Sequence, residues 1–197
     1  MTPYLASVSW YAHWLKARLD GLSGDEASIE ANKGTNVSSK DFARCRIKGQ
    51  SNPTLLTLPV EGGSSRLKRT SGIPRLKLSE HGNWRHSHMG ALNAAYGRSP
   101  YFQHFMPILA DVYNSGESSL KDFNERIHSA VVEMLFGDMD QTTAPLSIRD
   151  AAKERGKEIA SGINPDISVI DLLMTHGRES LLPLLSLSTS KLLTLNS

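Results

Sequence analysis

The stretch that decides the fold is Asn83-Trp-Arg-His-Ser-His-Met-Gly-Ala-Leu-Asn-Ala-Ala-Tyr96. Trp84, His88, Leu92 and Tyr96 recur every fourth residue, which puts them on one face of a helix. Before residue 83 the short apolar runs alternate, as strands do. After it the helical period holds. The chain therefore reads as strands first and helices second.

Outward from that point, Ser99-Pro100 opens a second helix, because proline suits the first helical turn. Its apolar positions are Phe102, Phe105, Met106, Leu109, Val112 and Tyr113. Ser119-Leu-Lys-Asp122 resembles a capping box and starts the best-patterned helix, about 119–136. Leu120, Phe123, Ile127, Val131, Met134 and Leu135 form its stripe, and Gly137 stops it. Towards the N-terminus, Ile73–Leu78 reads as a strand and 61–72 as a mobile loop. Strands at about 43–48 and 54–60 flank Gly49-Gln-Ser-Asn-Pro53, a turn-rich loop that predicts a hairpin. Ser28–Asn32 and residues 4–10 alternate as short strands, the latter running into a helix over 8–19. Beyond 137, Ser147-Ile-Arg-Asp150 and Ser168-Val-Ile-Asp171 read as helix caps, with a helix over 167–176. The leucine-rich stretch 181–195 reads as a short packed helix. The expectation is an α+β fold. A small mixed or antiparallel sheet from the N-terminal half packs with helices from the C-terminal half.

Length and composition agree with one domain. The chain has 197 residues, 39% of them apolar and 21% charged. The expected core is about 4–136, with a helical extension over about 145–197. A single cysteine excludes a disulfide framework and a multi-cysteine zinc site. No apolar run is long enough to span a membrane. No basic segment leads into an apolar one at the N-terminus, so a cytoplasmic chain is expected. The net charge of +2 hides an asymmetry. Residues 40–98 hold 11 Lys/Arg against 3 Asp/Glu, a net of +8, while residues 99–197 hold 8 against 13. Such a basic segment is either a set of solvated faces or an anion-binding face. Nucleic acid is the weaker reading, since no aromatics interleave with the basic residues in a known binding pattern.

The densest polar cluster is Glu80-His81-Gly82-Asn83-Trp84-Arg85-His86-Ser87-His88, where a strand hands over to a helix. Helix N-termini favour anions. His81 and Arg85 add donors there, and a histidine can move a proton near neutral pH. His88 lies on the apolar stripe. It is either a satisfied core histidine or a group projecting into a cleft. Arg44 and Arg46 point to one face of their strand and can converge on one ligand. Cys45, between them, points the other way and reads as a buried structural thiol. Asn124 falls beside the stripe of the 119–136 helix, where it ties helix to sheet or reaches a ligand. Asp171 reads as part of a cap. The candidate catalytic residues are thus His81 and His88, and the candidate substrate-binding residues Arg44, Arg46, Arg85 and Asn124. They are expected around one pocket at the junction 79–88. His86 and His88 are two apart, the wrong spacing for a helical metal pair, so no metal is expected. No cofactor is indicated.

Several of these runs resemble the WbqC-like protein family. They are Arg44-Cys-Arg-Ile47, Leu56-Thr-Leu-Pro-Val60, His81-Gly-Asn-Trp-Arg-His-Ser-His88 continuing to Ser99-Pro-Tyr-Phe102, and Ile167-Ser-Val-Ile-Asp-Leu-Leu173. The resemblance implies a transferase of surface-polysaccharide (O-antigen) synthesis, with amino-acyl or glycyl transfer as the suggested chemistry. Its substrate would be an anionic, nucleotide- or phosphate-linked small molecule. A non-catalytic anion- or partner-binding protein of the same fold is the alternative. The family brings no agreed catalytic residue. This chain also departs from it. Ser7-Val8 stand where many members have Gln-Pro, and 138–163 is short and charged where longer members have a glycine-rich loop.

Overall fold

The computed structural model describes residues 1–68, 70–139, 141, 148, 150 and 152–189. Helix α1, Val8–Leu19, starts where the Ser7 hydroxyl accepts from the Trp10 amide at 3.2 Å. Helix α2, Gly24–Gly34, replaces the strand expected at 28–32. Ser23 and Glu26 form a complete capping box, and Ala27 and Ala31, four apart, are fully buried. That helical pair outweighs the local alternation, and Ile29 is left half exposed. The strand expected over 4–10 is also absent. Leu5 adopts φ +41°, outside the β region, and only Ser7 pairs, through an isolated bridge to Ser168.

The hairpin forms as expected. Strand β1, Arg44–Ile47, runs antiparallel to β2, Thr54–Thr57, with Arg44 opposite Thr57 and Arg46 opposite Leu55. Among the described residues, the sheet has these two strands. Residues expected as a mobile loop form 3₁₀ turns at Ser64–Lys68 and Thr70–Arg75, anchored by the buried Leu67 and Ile73. The strand expected at 73–78 shrinks to two single bridges, Lys77 to Ser119 and Leu78 to Val60. Pro74 lies within the second 3₁₀ turn, and a proline cannot donate to a ladder.

Helices follow, as the change of period predicts. Helix α3, Trp84–Tyr96, buries Trp84, His88, Leu92 and Tyr96 and nothing else. Helix α4 is Phe102–Tyr113 and α5 is Leu120–Phe136. Phe102 is only partly buried, and Phe105 takes the core position instead. A π turn at Ala152–Gly156 leads into the short helix α6, Lys157–Ser161. Then come α7, Ile170–His176, and α8, Leu181–Thr189. Helix α8 is buried on nearly all sides, packed on α1 and the π turn. The cap expected at Ser147 and the tail beyond Thr189 lie outside the described residues. The class is α+β, dominated by helices. Among the described residues, no helix is long and apolar enough to cross a membrane.

The core runs through the whole described chain. Near α3, Tyr4, Trp84, His88, Tyr113 and Phe123 form a cluster with ring centroids 5.4–6.3 Å apart. A second cluster joins Trp10, Tyr11 and Trp14 of α1 to His128 of α5.

Candidate functional site

Period two governs β1. Cys45 and Ile47 face the core, while Arg44 and Arg46 share the opposite face. On that face a pocket of about 390 Å³ opens. Its walls come from segments far apart in the chain. These are the turn 3–7, the end of α2, the turn 37–41, β1, and residues 166 and 168. The segment 165–169 is held in place from two sides. Val8 donates to the Ile167 carbonyl at 2.9 Å and Ser9 to Pro165 at 3.0 Å, while Ser168 donates to Arg46 at 2.8 Å.

Three cations reach this pocket: Lys40, Arg44 and Arg46. Arg44 is half-buried, and its Nε is enclosed with no hydrogen-bond partner among the described residues. A buried guanidinium N–H without an acceptor is costly. An anion in the pocket would remove that cost. Two carboxylates share the pocket, Asp41 and Asp166. Asp41 Oδ2 accepts from the Ser38 amide and hydroxyl, both at 2.7 Å. Cys45 contributes to the wall, but its thiol is buried and burial pushes it well up, so it is no nucleophile at neutral pH.

The other residues expected at the site lie elsewhere. Arg85 spends its guanidinium on structure. It donates to the carbonyls of Tyr113 at 3.0 Å and Glu117 at 2.6 Å, pairs with Glu80 at 3.1 Å, and stacks 4.4 Å above Trp84. His88 is 6% exposed. One ring nitrogen makes a backbone hydrogen bond to Thr57, which leaves Nδ1 to accept from the Tyr4 hydroxyl at 2.8 Å. Burial holds its pKa down to about 4, so it is neutral at physiological pH. Asn124 is fully buried and donates to the carbonyls of Thr2 at 3.1 Å and Phe42 at 2.8 Å. His81 is exposed in the bend before α3. None of these four lines the pocket. Residues 79–88 are thus not brought together with Arg44 and Arg46 in this pocket, and the Arg85 guanidinium among them is taken up by two backbone carbonyls, Glu80 and the Trp84 ring.

Two links remain. Tyr4 lines the pocket and is held from behind by His88 and by a short hydroxyl contact to Tyr113. Asn124 fixes the Phe42 carbonyl, two residues before Arg44. Both positions support the wall without touching a ligand. Lys40, Asp41 and Asp166 were not candidates from the sequence. Asp166 is more than a hundred residues from Arg44, and nothing local marks it. Asp171 is not a cap either: its carboxyl is half-buried beside Tyr96 and Lys48, burial raises its pKa, and Oδ1 has no partner. Among the described residues, no cluster of three or more His, Cys, Asp or Glu is placed to hold a metal.

An α+β chain with a twin-arginine hairpin and a polar pocket over it is the class the geometry defines. The model of the WbqC-like protein family matches residues 36–161, most of the chain. The chain belongs to the WbqC-like protein family. No curated protein and no solved structure matches it.

Proposed function

We propose that the chain binds an anionic, phosphate- or nucleotide-linked substrate of surface-polysaccharide synthesis in the pocket above β1, and that it serves there in group transfer, amino-acyl or glycyl in kind, in the cytoplasm. The observation that carries the anion reading is the Arg44 guanidinium, enclosed at the pocket wall with Nε unpartnered and Arg46 beside it on the same face. Arg44 and Arg46 hold the anion, with Lys40 as a third cation. Asn124 and His88 act as positioning residues through Phe42 and Tyr4. Transfer itself rests on the family resemblance alone.

A thermal-shift screen with sugar nucleotides, acyl donors and aminoacyl analogues tests this. A ligand present at about 100 times its Kd adds roughly 2.7 kcal/mol to the folded state. The stabilisation should vanish in the Arg44→Ala/Arg46→Ala double variant while the unliganded melting temperature stays close to that of the parent. Stabilisation that persists in the double variant would defeat the reading.

One observation favours the second reading, an anion- or partner-binding protein without catalysis. The imidazole expected to move a proton, His88, is sealed in the core, and His81 stands outside the pocket. Binding with no turnover of any donor in the same screen would select that reading.

A further inference from the structure

The pocket carries charges of both signs, and they do not neutralise one another. Among the described residues, Lys40, Asp41, Arg44, Arg46 and Asp166 line it, and no ion pair joins any two of them. Elsewhere the chain pairs exposed charges, as in Lys16–Asp20 at 3.0 Å and Lys33–Glu30 at 2.7 Å. A bare phosphate or pyrophosphate would gain from the three cations but meet two carboxylates. A ligand with an anionic group at one end and a protonated amine at the other would meet its complement at both.

The two carboxylates are not equivalent. Asp41 spends an oxygen on Ser38, which closes its own turn. Among the described residues, the Asp166 carboxylate has no ion-pair or side-chain hydrogen-bond partner. Its backbone is nonetheless fixed. The Asp166 amide donates to Asn164 Oδ1 at 3.0 Å, and the neighbouring residues are bonded to α1 on one side and to Arg46 on the other. A free carboxylate on an anchored segment, beside a strand that presents two unspent arginines, is placed to read the second group of a ligand.

We propose that the pocket selects a ligand bearing both an anionic group and a protonated amine, and that Asp166 is the specificity-determining residue that takes the amine. This rests on the anion-binding reading above, with Arg44 and Arg46 taking the anion. The same chemistry is offered by an amino-sugar phosphate and by a free amino acid. Two matched pairs of probes separate these sources. Glucosamine 6-phosphate and glucose 6-phosphate differ by an ammonium against a hydroxyl, as do alanine and lactate.

Calorimetric titration at pH 7 should show the amine-bearing member of one pair binding about threefold to tenfold tighter, the range of a partly exposed charge pair. The pair that shows the gap identifies the source. In Asp166→Asn the gap should close to within about twofold, while the hydroxyl-bearing member binds as well as before or better, since a repelling charge has gone. Glucose 6-phosphate binding that depends on Arg44 and Arg46, with no preference for the amine or with a preference that survives Asp166→Asn, would overturn the role of Asp166 and leave the anion reading standing. No binding by any of the four probes, nor by inorganic pyrophosphate, would overturn both.

Discussion

His88 shows how a residue type can point to catalysis while its surroundings point to packing. It sits between Tyr4, Trp84 and Tyr113 with both ring nitrogens occupied. Its replacement by Ala empties the space between these rings and takes from the buried Tyr4 hydroxyl one of its two partners, leaving it Tyr113 alone. We expect His88→Ala to cost about 2 kcal/mol or more in urea unfolding. A loss below about 0.5 kcal/mol would contradict the packing role. His128 is its counterpart in the second aromatic cluster. It accepts or shares a hydrogen bond with the Tyr11 hydroxyl at 3.0 Å, and burial holds it down to about 4 as well. An ordinary histidine titrates near 6.5. Below about pH 6.5 the unfolded chain therefore takes up protons that the folded chain refuses. Stability should be complete above that pH and fall as the pH drops towards about 4. Each imidazole adds a slope of up to about 1.4 kcal/mol per pH unit. Between pH 5 and 6.5, before most carboxylates titrate, a His128→Gln variant should show a clearly shallower fall than the parent. An unchanged slope would mean that His128 is charged in the folded chain.

At the scale of elements, the start and stop of α5 agree with the sequence. The Ser119 hydroxyl accepts from the Asp122 amide at 3.2 Å, and Gly137 closes α5 with φ +54°. Ser119→Ala should cost about 1 kcal/mol. Gly137→Ala should cost more than that, because a Cβ there would take a strained φ and also meet the Arg178 guanidinium. Equal losses for the two variants would show that the Arg178 contact yields freely. The same scale explains what was legible. Helices α3, α4 and α5 were readable because their stripes run over three or more turns, long enough for the period to dominate chance. The hairpin was readable from its turn residues. Helix α2 does not show in its own pattern because Ser28–Asn32 alternates over only five residues, whereas the deciding pair, Ser23 with Glu26, lies before it. The strand at 73–78 was misread because apolar residues there anchor a 3₁₀ turn. Ile73 is buried, but Pro74 cannot extend a ladder.

At the scale of the molecule, the site depends on pieces that meet only in the fold. Arg44 and Arg46 were readable as a pair, since alternation along a strand fixes their common face. What stands opposite them was not. Asp166 arrives through the 165–169 segment, which is tied to α1 and β1 by backbone hydrogen bonds, and such bonds carry no side-chain signature. The cluster 80–88 drew attention because its residues are adjacent in sequence. The structure spends Trp84 and Arg85 instead on holding α3 against α5 and the loop before it.

The central claim is that the anion site lies over β1 and not at the start of α3. It is tested most directly by titrating one ligand, the most stabilising compound of the screen, into three proteins under identical conditions. The account predicts one site per chain in the parent, the same affinity in His81→Ala, and at least a tenfold loss in Arg44→Ala/Arg46→Ala, the effect of removing charge-assisted hydrogen bonds worth about 1.5–3 kcal/mol each. Binding that survives in the double variant, or that is lost in His81→Ala, would contradict it.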